Sequence, residues 1–286
     1  MRKPLELYIH IPFCVKKCDY CDFLSGPASE MAIHGYVEQL IQEIKRQGRN
    51  CRGYGVVTVF IGGGTPSILK PGEIQAIMEA VSTSFFVDPG AEITIEINPG
   101  TVTKEKLNTY RACGINRISI GLQSANDEEL KNLGRIHTYD EFLKTYQRVR
   151  LAGFSNVSVD LMSALPGQTL ASWKSTLKKV AMLKPEHISA YSLMIEEGTV
   201  FYKRYYKKPG LLPGEEAERE MYYLTKGFLK EQGYERYEIS NYARPGKECR
   251  HNVGYWTGVE YLGLGLGASS YFGGCRFRNE TNLDKY

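Results

Sequence analysis

Short apolar runs rich in valine and isoleucine alternate along this chain with amphipathic stretches of helical period. The runs at 7–11, 56–61, 92–97, 117–121, 156–162 and 187–194 read as strands. Between them the clearest helical stripe carries Ile33, Tyr36, Val37, Leu40, Ile41 and Ile44, all on one face at a period near 3.6. Further helical patterns lie at 72–85, 104–113, 139–151 and 170–183. Asn126 and Thr138 each precede acidic residues and offer N-caps. Strands alternating with helices, without a clear hairpin signal, predict an α/β fold with a parallel sheet and helical crossovers. An open doubly wound sheet and a curved partial barrel both satisfy that pattern. In either, ligands bind at the C-terminal ends of the strands.

The texture changes after about residue 196. Residues 198–214 are rich in Tyr, Lys, Gly and Pro, residues 215–231 have a helical pattern, and 234–241 alternate like one strand. The tail is dense in glycine and aromatic residues. We divide the chain softly into a 1–195 unit and a 196–286 extension that packs against it.

Composition narrows the classes. A net charge of +4 over 286 residues does not point to nucleic acid. There is no signal-like N-terminal stretch and no apolar run approaching the ~18 residues of a membrane span. Seven cysteines, an odd and uneven set, read as reduced thiols of a cytoplasmic protein rather than a disulfide framework.

The chemistry concentrates in a few strand-end motifs. Cys14, Cys18 and Cys21 follow the first strand in the run Tyr8-Ile-His-Ile-Pro-Phe-Cys, with C-x3-C-x2-C spacing. Four protein ligands close a structural zinc site, and His10 or Asp22 could complete one here. A cubane iron–sulfur cluster normally takes four cysteines, so three leave one iron open to a small molecule. Gly62, Gly63, Gly64 and Thr65 end the second strand, where the lack of side chains lets a polar ligand approach the backbone. Glu96 interrupts an apolar strand, and Gln123 and Asp160 hold comparable places on later strands. Arg135 follows a short helix. Together these groups suit a zwitterionic, hydroxyl-bearing ligand. His251, in His-Asn-Val-Gly-Tyr-Trp, is a candidate haem ligand among aromatic residues.

The cysteine run, Gly-Gly-Gly-Thr-Pro, Ile-Glu-Ile-Asn-Pro and Asp160-Leu-Met-x-x-Leu-Pro-Gly-Gln-Thr together resemble the radical S-adenosylmethionine (SAM) superfamily. The narrower resemblance is to the branch of oxygen-independent coproporphyrinogen III oxidases and related haem chaperones. It implies a partial (β/α)6 barrel, with a C-terminal helical domain beyond residue 286 in full-length members. It further implies a 4Fe–4S cluster on Cys14, Cys18 and Cys21, with SAM on the fourth iron. One electron from the reduced cluster then cleaves SAM to methionine and a 5′-deoxyadenosyl radical. By the same resemblance, Gly63, Gly64 and Thr65 contact the methionine end of SAM, and Glu96 and Arg135 its amino and carboxylate groups. Gln123 and Asp160 take the ribose hydroxyls, and Tyr8 and the backbone near Tyr20 lie beside cluster and adenine. Phe23 stands where the oxidases have a further cysteine, the first strand begins within seven residues, and the His251 motif matches a haem-binding motif of the chaperones. These features favour a haem chaperone with haem-accepting apoproteins and a reducing electron-donor protein as partners. The alternative is oxidative decarboxylation of coproporphyrinogen III to protoporphyrinogen IX.

Overall fold

The computed structural model describes residues 2–286. Six strands form its centre: β1 (Lys3–Ile11), β2 (Tyr54–Gly63), β3 (Val87–Ile97), β4 (Arg117–Gln123), β5 (Val157–Ser163) and β6 (His187–Ser192). All pair in parallel, each with the next in sequence. The crossovers are α1 (Glu30–Gly48), α2 (Pro71–Ser84), α3 (Lys104–Ala112), the short α4 (Asp127–Asn132) with α5 (Tyr139–Leu151), and α6 (Leu170–Ala181). This is the partial (β/α)6 arrangement. Thr138 caps α5 with a full capping box through Glu141, and Asn126 caps α4.

Period-two alternation gives the sheet two different faces. Leu5, Leu7, Ile9 and Ile11 of β1 are fully buried beneath the helices, as are Ile118 and Ile120 of β4 and Val157, Val159 and Leu161 of β5. Their alternates, Glu6, Tyr8 and His10 on β1, Arg117 and Ser119 on β4, and Ser158 and Asp160 on β5, line the other face. Many of these polar residues are also buried. Burial at about 1.5–3 kcal/mol per large aliphatic side chain drives the helical layer, whereas the polar face must satisfy itself by hydrogen bonds.

The extension does not form a separate layer. Its elements are α7 (Val200–Tyr205), α8 (Glu215–Glu231), β7 (Glu235–Arg236), β8 (Asn241–Ala243), α9 (Arg250–Thr257), β9 (Glu260–Leu264), β10 (Ser269–Phe272) and β11 (Cys275–Arg278). It adds strands to both edges of the one sheet, whose order is β11-β10-β9-β1-β2-β3-β4-β5-β6-β8-β7. β9 pairs in parallel with β1, and β8 pairs antiparallel with β6. The single strand expected over 234–241 is instead part of a hairpin of two very short strands. Tyr237 turns inward at the bend, where its hydroxyl meets His187 Nε2 at 2.8 Å and accepts from Cys249 N at 3.3 Å. The Glu238 carboxylate accepts from Ser240 N at 2.8 Å and closes the turn. Among the described residues no helix is long and apolar enough to cross a membrane.

Trp173 on α6 is fully buried, and its Nε1 donates to Thr225 Oγ1 of α8 at 2.8 Å. This contact fastens the extension to the outer layer. Trp173→Phe should lower the unfolding free energy by about 1–3 kcal/mol, through a lost hydrogen bond and a small cavity. The Thr225 hydroxyl keeps its bond to Met221 O, 2.7 Å away, which favours the lower half of that range. Denaturant titration of both proteins measures it, and equal midpoints and slopes would contradict it.

Candidate metal centre and cofactor cavity

The cysteine loop leaves β1 without regular secondary structure and is held by backbone bonds. Cys14 N donates to Gly26 O at 3.1 Å, and Gly26 N donates back to Pro12 O at 3.0 Å. Farther along, Asp19 N donates to Leu133 O at 3.1 Å, and the Asp19 carboxylate pairs with Arg204 of α7 at 2.9 Å. The glycine turn after β2 docks on the start of this loop: Gly64 N donates to Ile11 O at 2.8 Å and Thr65 N to Phe13 O at 2.7 Å. A Cβ on Gly64 would lie 2.5 Å from the Phe13 carbonyl oxygen, and Gly63 has φ of +111°. Both positions therefore require glycine.

Cys14, Cys18 and Cys21 line one cavity with Gly63, Gly64, Thr65, Glu96, Asn98, Gln123, Arg135, Asp160 and Tyr191. All three thiols are free, and no other cysteine reaches the cavity. Burial raises the thiol pKa of Cys14 and Cys21, so loading a metal there releases protons. Among the described residues no three Cys, His, Asp or Glu side chains converge on a single-ion position. Ligands of a cubane bind different irons and need no such convergence. Arg135 Nη1 lies 3.6 Å from Cys18 Sγ, while its Nη2 donates to Asn98 Oδ1 at 2.7 Å and Gly121 O at 2.6 Å.

The strand ends supply the wall opposite the thiols. Glu96 accepts from Gly63 N at 3.1 Å. Enclosure lifts its carboxyl to a pKa of about 8, and the neighbouring Asp160 charge adds to the shift. Asp160 is lifted to about 6 by the same loss of water, opposed by hydrogen bonds from Ser119 at 3.0 and 3.1 Å. Gln123 adopts φ of +73° at a register shift between β4 and β5, and its Oε1 accepts from Tyr191 at 2.9 Å. An interior side chain held in the left-handed region marks a position the surrounding structure dictates. Tyr20 reaches the cavity beside Cys21 and meets Phe201 edge-on, with ring centroids 6.3 Å apart.

Asn98, Ser119 and Tyr191 were not among the expected residues. Asn98 joins Thr65 Oγ1, at 2.8 Å, to Arg135 and so ties the glycine turn to the arginine. Its signal was its place in Ile-Glu-Ile-Asn-Pro. Ser119 and Tyr191 share the strand period of Gly121 and Ser189, which becomes informative only once the polar face is known.

Two expected residues lie elsewhere. Tyr8 lines a second cavity of about 670 Å³ with His10, Phe23, Leu24, Tyr255, Tyr261, Arg276 and Arg278. His251, only 2% exposed, sits at the floor of the polar face. Its Nδ1 meets Thr58 Oγ1 at 2.6 Å, its Nε2 meets Tyr255 Oη at 2.9 Å, and its ring stacks on Phe60. Burial, reinforced by Arg117, lowers its pKa to about 3, while burial raises that of Glu6 to about 8. The two approach within 3.9 Å as neutral groups, not as an ion pair.

Comparison with known proteins decides the family. The family model described as the radical SAM superfamily matches residues 8–180. The chain belongs to the radical SAM superfamily. Within it the chain belongs with the proteins named heme chaperone HemW. The relative from Lactococcus lactis is 38% identical over 286 residues, covering all of this chain and 74% of the relative. The one from Escherichia coli is 41% identical over 266 residues, covering 93% and 69% respectively. Among solved structures, the coproporphyrinogen III oxidase HemN from Escherichia coli superposes with a TM-score of 0.88 at 30% identity, over all of this chain and 68% of that one. Membership implies a 4Fe–4S cluster and SAM as cofactors. The donor set of this radical SAM chain suits them: three unpaired thiols face polar strand ends across a turn stripped of side chains.

The raised carboxylates set a pH dependence. Glu96 ordinarily titrates near 4.5, and in the fold near 8, so between these values the folded state holds the extra proton. Stability of the metal-free protein is therefore greatest below 4.5 as far as this group is concerned, and falls as pH rises toward 8. Glu96→Gln should flatten that fall by up to about 1.4 kcal/mol per pH unit. Denaturant titrations of both proteins across this range are the check. Parallel pH profiles would refute the assignment.

Proposed function

We propose that this radical SAM protein is a haem chaperone, carrying a 4Fe–4S cluster on Cys14, Cys18 and Cys21, with SAM beside it and haem for delivery to apoproteins. The observation that carries the reading is the presence of three thiols, not four, around a cavity whose opposite wall is polar. Phe23 occupies the position where a further thiol would stand, and it is 64% exposed. The relatives named as heme chaperones, which match nearly the whole chain, support the haem part.

In this reading each strand-end group has a physical task. Glu96, held by Gly63 N, accepts a hydrogen bond from the amino group of SAM. Arg135, positioned by Asn98 and Gly121 O, faces its carboxylate, a charge-assisted contact. Gly63, Gly64 and Thr65 present backbone to the methionine end. Gln123 and Asp160 accept from ribose hydroxyls, and the backbone near Tyr20 lies against the adenine. Arg135 also donates toward Cys18 sulfur, and hydrogen bonds to cluster sulfurs influence reduction potential. When bound, the cluster supplies one-electron reduction and SAM the bond it can cleave. A reducing partner protein supplies the electron.

His251 supports haem binding through Tyr255 in this reading. Both its ring nitrogens are engaged and it is buried, whereas Tyr255, one turn later on α9, reaches the second cavity.

Anaerobic reconstitution tests the proposal. The protein should retain about four irons and four sulfides, the cubane stoichiometry, and Cys18→Ala should lose most of both. The haem-loaded protein should pass haem to an apoglobin. Turnover of coproporphyrinogen III to protoporphyrinogen with SAM and a reductant would overturn the chaperone reading in favour of the oxidase. Zinc in place of iron and sulfide would overturn both.

A further inference from the structure

We infer that the second cavity is a site for a planar macrocycle bearing two neighbouring carboxylates, with Arg276 and Arg278 as the carboxylate-binding pair. The inference rests on the haem-chaperone reading and adds a location and a recognition device to it. The cavity, at about 670 Å³, falls within the range of small-molecule sites.

Its walls are aromatic and fixed in place. Tyr8 Oη meets His10 Nδ1 at 3.0 Å, and His10 Nε2 lies 3.0 Å from Leu24 O. Tyr255 packs edge-on against Tyr261, with ring centroids 4.7 Å apart, and its hydroxyl is anchored to buried His251. Rings with their rotamers already set can stack on a flat ligand at little entropic cost.

The charge comes from one strand. Arg276 and Arg278 are two residues apart on β11, so both project from the same face, about 7 Å apart along the strand. Both line the cavity and both are exposed. Arg278 Nε donates to Gly267 O at 2.9 Å, which fixes its direction, and Arg276 lies over the Tyr271 ring at 5.8 Å. Among the described residues neither forms a salt bridge with an acidic side chain. Asp22 is the acidic residue on the lining, so the two arginines leave a net positive rim. Guanidinium groups at this spacing suit two carboxylates on one edge of a macrocycle.

Phe23 borders both this cavity and the cysteine cavity. It lies two residues after Cys21, so a macrocycle stacked in the second cavity rests against the loop that carries the thiols.

The test is an equilibrium absorbance titration of the cluster-reconstituted protein with iron protoporphyrin IX and, separately, with its dimethyl ester. The protein should bind the free diacid about tenfold or more tightly than the ester. An Arg276→Gln/Arg278→Gln double variant should lose that preference and bind the diacid about as weakly as the ester. Both residues are exposed on an edge hairpin, and an unchanged thermal melt verifies that the variant folds. Haem binding with no preference for the diacid, or unaltered in the double variant, would overturn the site while leaving the chaperone reading standing. No haem binding by the unaltered protein would overturn both.

Discussion

Two backbone hydrogen bonds hold the centre of this molecule together: Gly64 N to Ile11 O and Thr65 N to Phe13 O. They press the turn after β2 onto the start of the cysteine loop, with no side chain between. Because β2 continues the same parallel sheet as β3, β4 and β5, the loop is thereby set against Glu96, Gln123 and Asp160. A loop of this length without secondary structure would otherwise sample many positions, at an entropic cost for each ordered residue. Adding a Cβ at Gly64 would push the turn away from the Phe13 carbonyl, and everything that depends on this spacing would shift with it.

The two faces of the sheet divide the work. The outer face is a row of Leu, Ile and Val beneath helices, and supplies the stability. The inner face buries carboxyls, an arginine and three histidines, His10, His187 and His251, which is costly wherever hydrogen bonds do not compensate. The molecule reduces that cost by leaving groups uncharged: His251 and Glu6 approach as neutral partners, and the Glu96 carboxyl holds its proton to about pH 8. The strand-end carboxyls thus reduce stability as pH rises, a sign of positions kept for binding rather than for folding.

Much of this was legible in the sequence because its local rules agree with one another. The six central strands, the stripe of α1 and the caps at Asn126 and Thr138 follow from periodicity and capping chemistry, and the strand-end placement of Glu96 and Asp160 follows from them. What remained hidden is long-range. The strands β9, β10 and β11 are separated by glycines and too short for a periodic signal, so their addition to the β1 edge could not be read. Asn98 and Tyr191 acquire meaning only when strands distant in sequence lie side by side. His251 is the sharpest case. Its motif drew attention to the imidazole, yet the helical spacing sends that ring to the floor and gives the cavity wall to Tyr255.

One short loop thus joins the two cavities. Cys21 faces the first, Phe23 borders both, and the Leu24 carbonyl meets His10 in the second. The proposed function turns on three thiolates that leave one iron open and on strand-end groups that present SAM to it. Electron paramagnetic resonance of the reduced, reconstituted protein with SAM carrying ¹⁵N in its amino group tests this most directly. The account predicts a changed cluster signal with resolved coupling to that nitrogen, weakened in Glu96→Gln. A cluster signal identical with and without SAM, and free of nitrogen coupling, would contradict it.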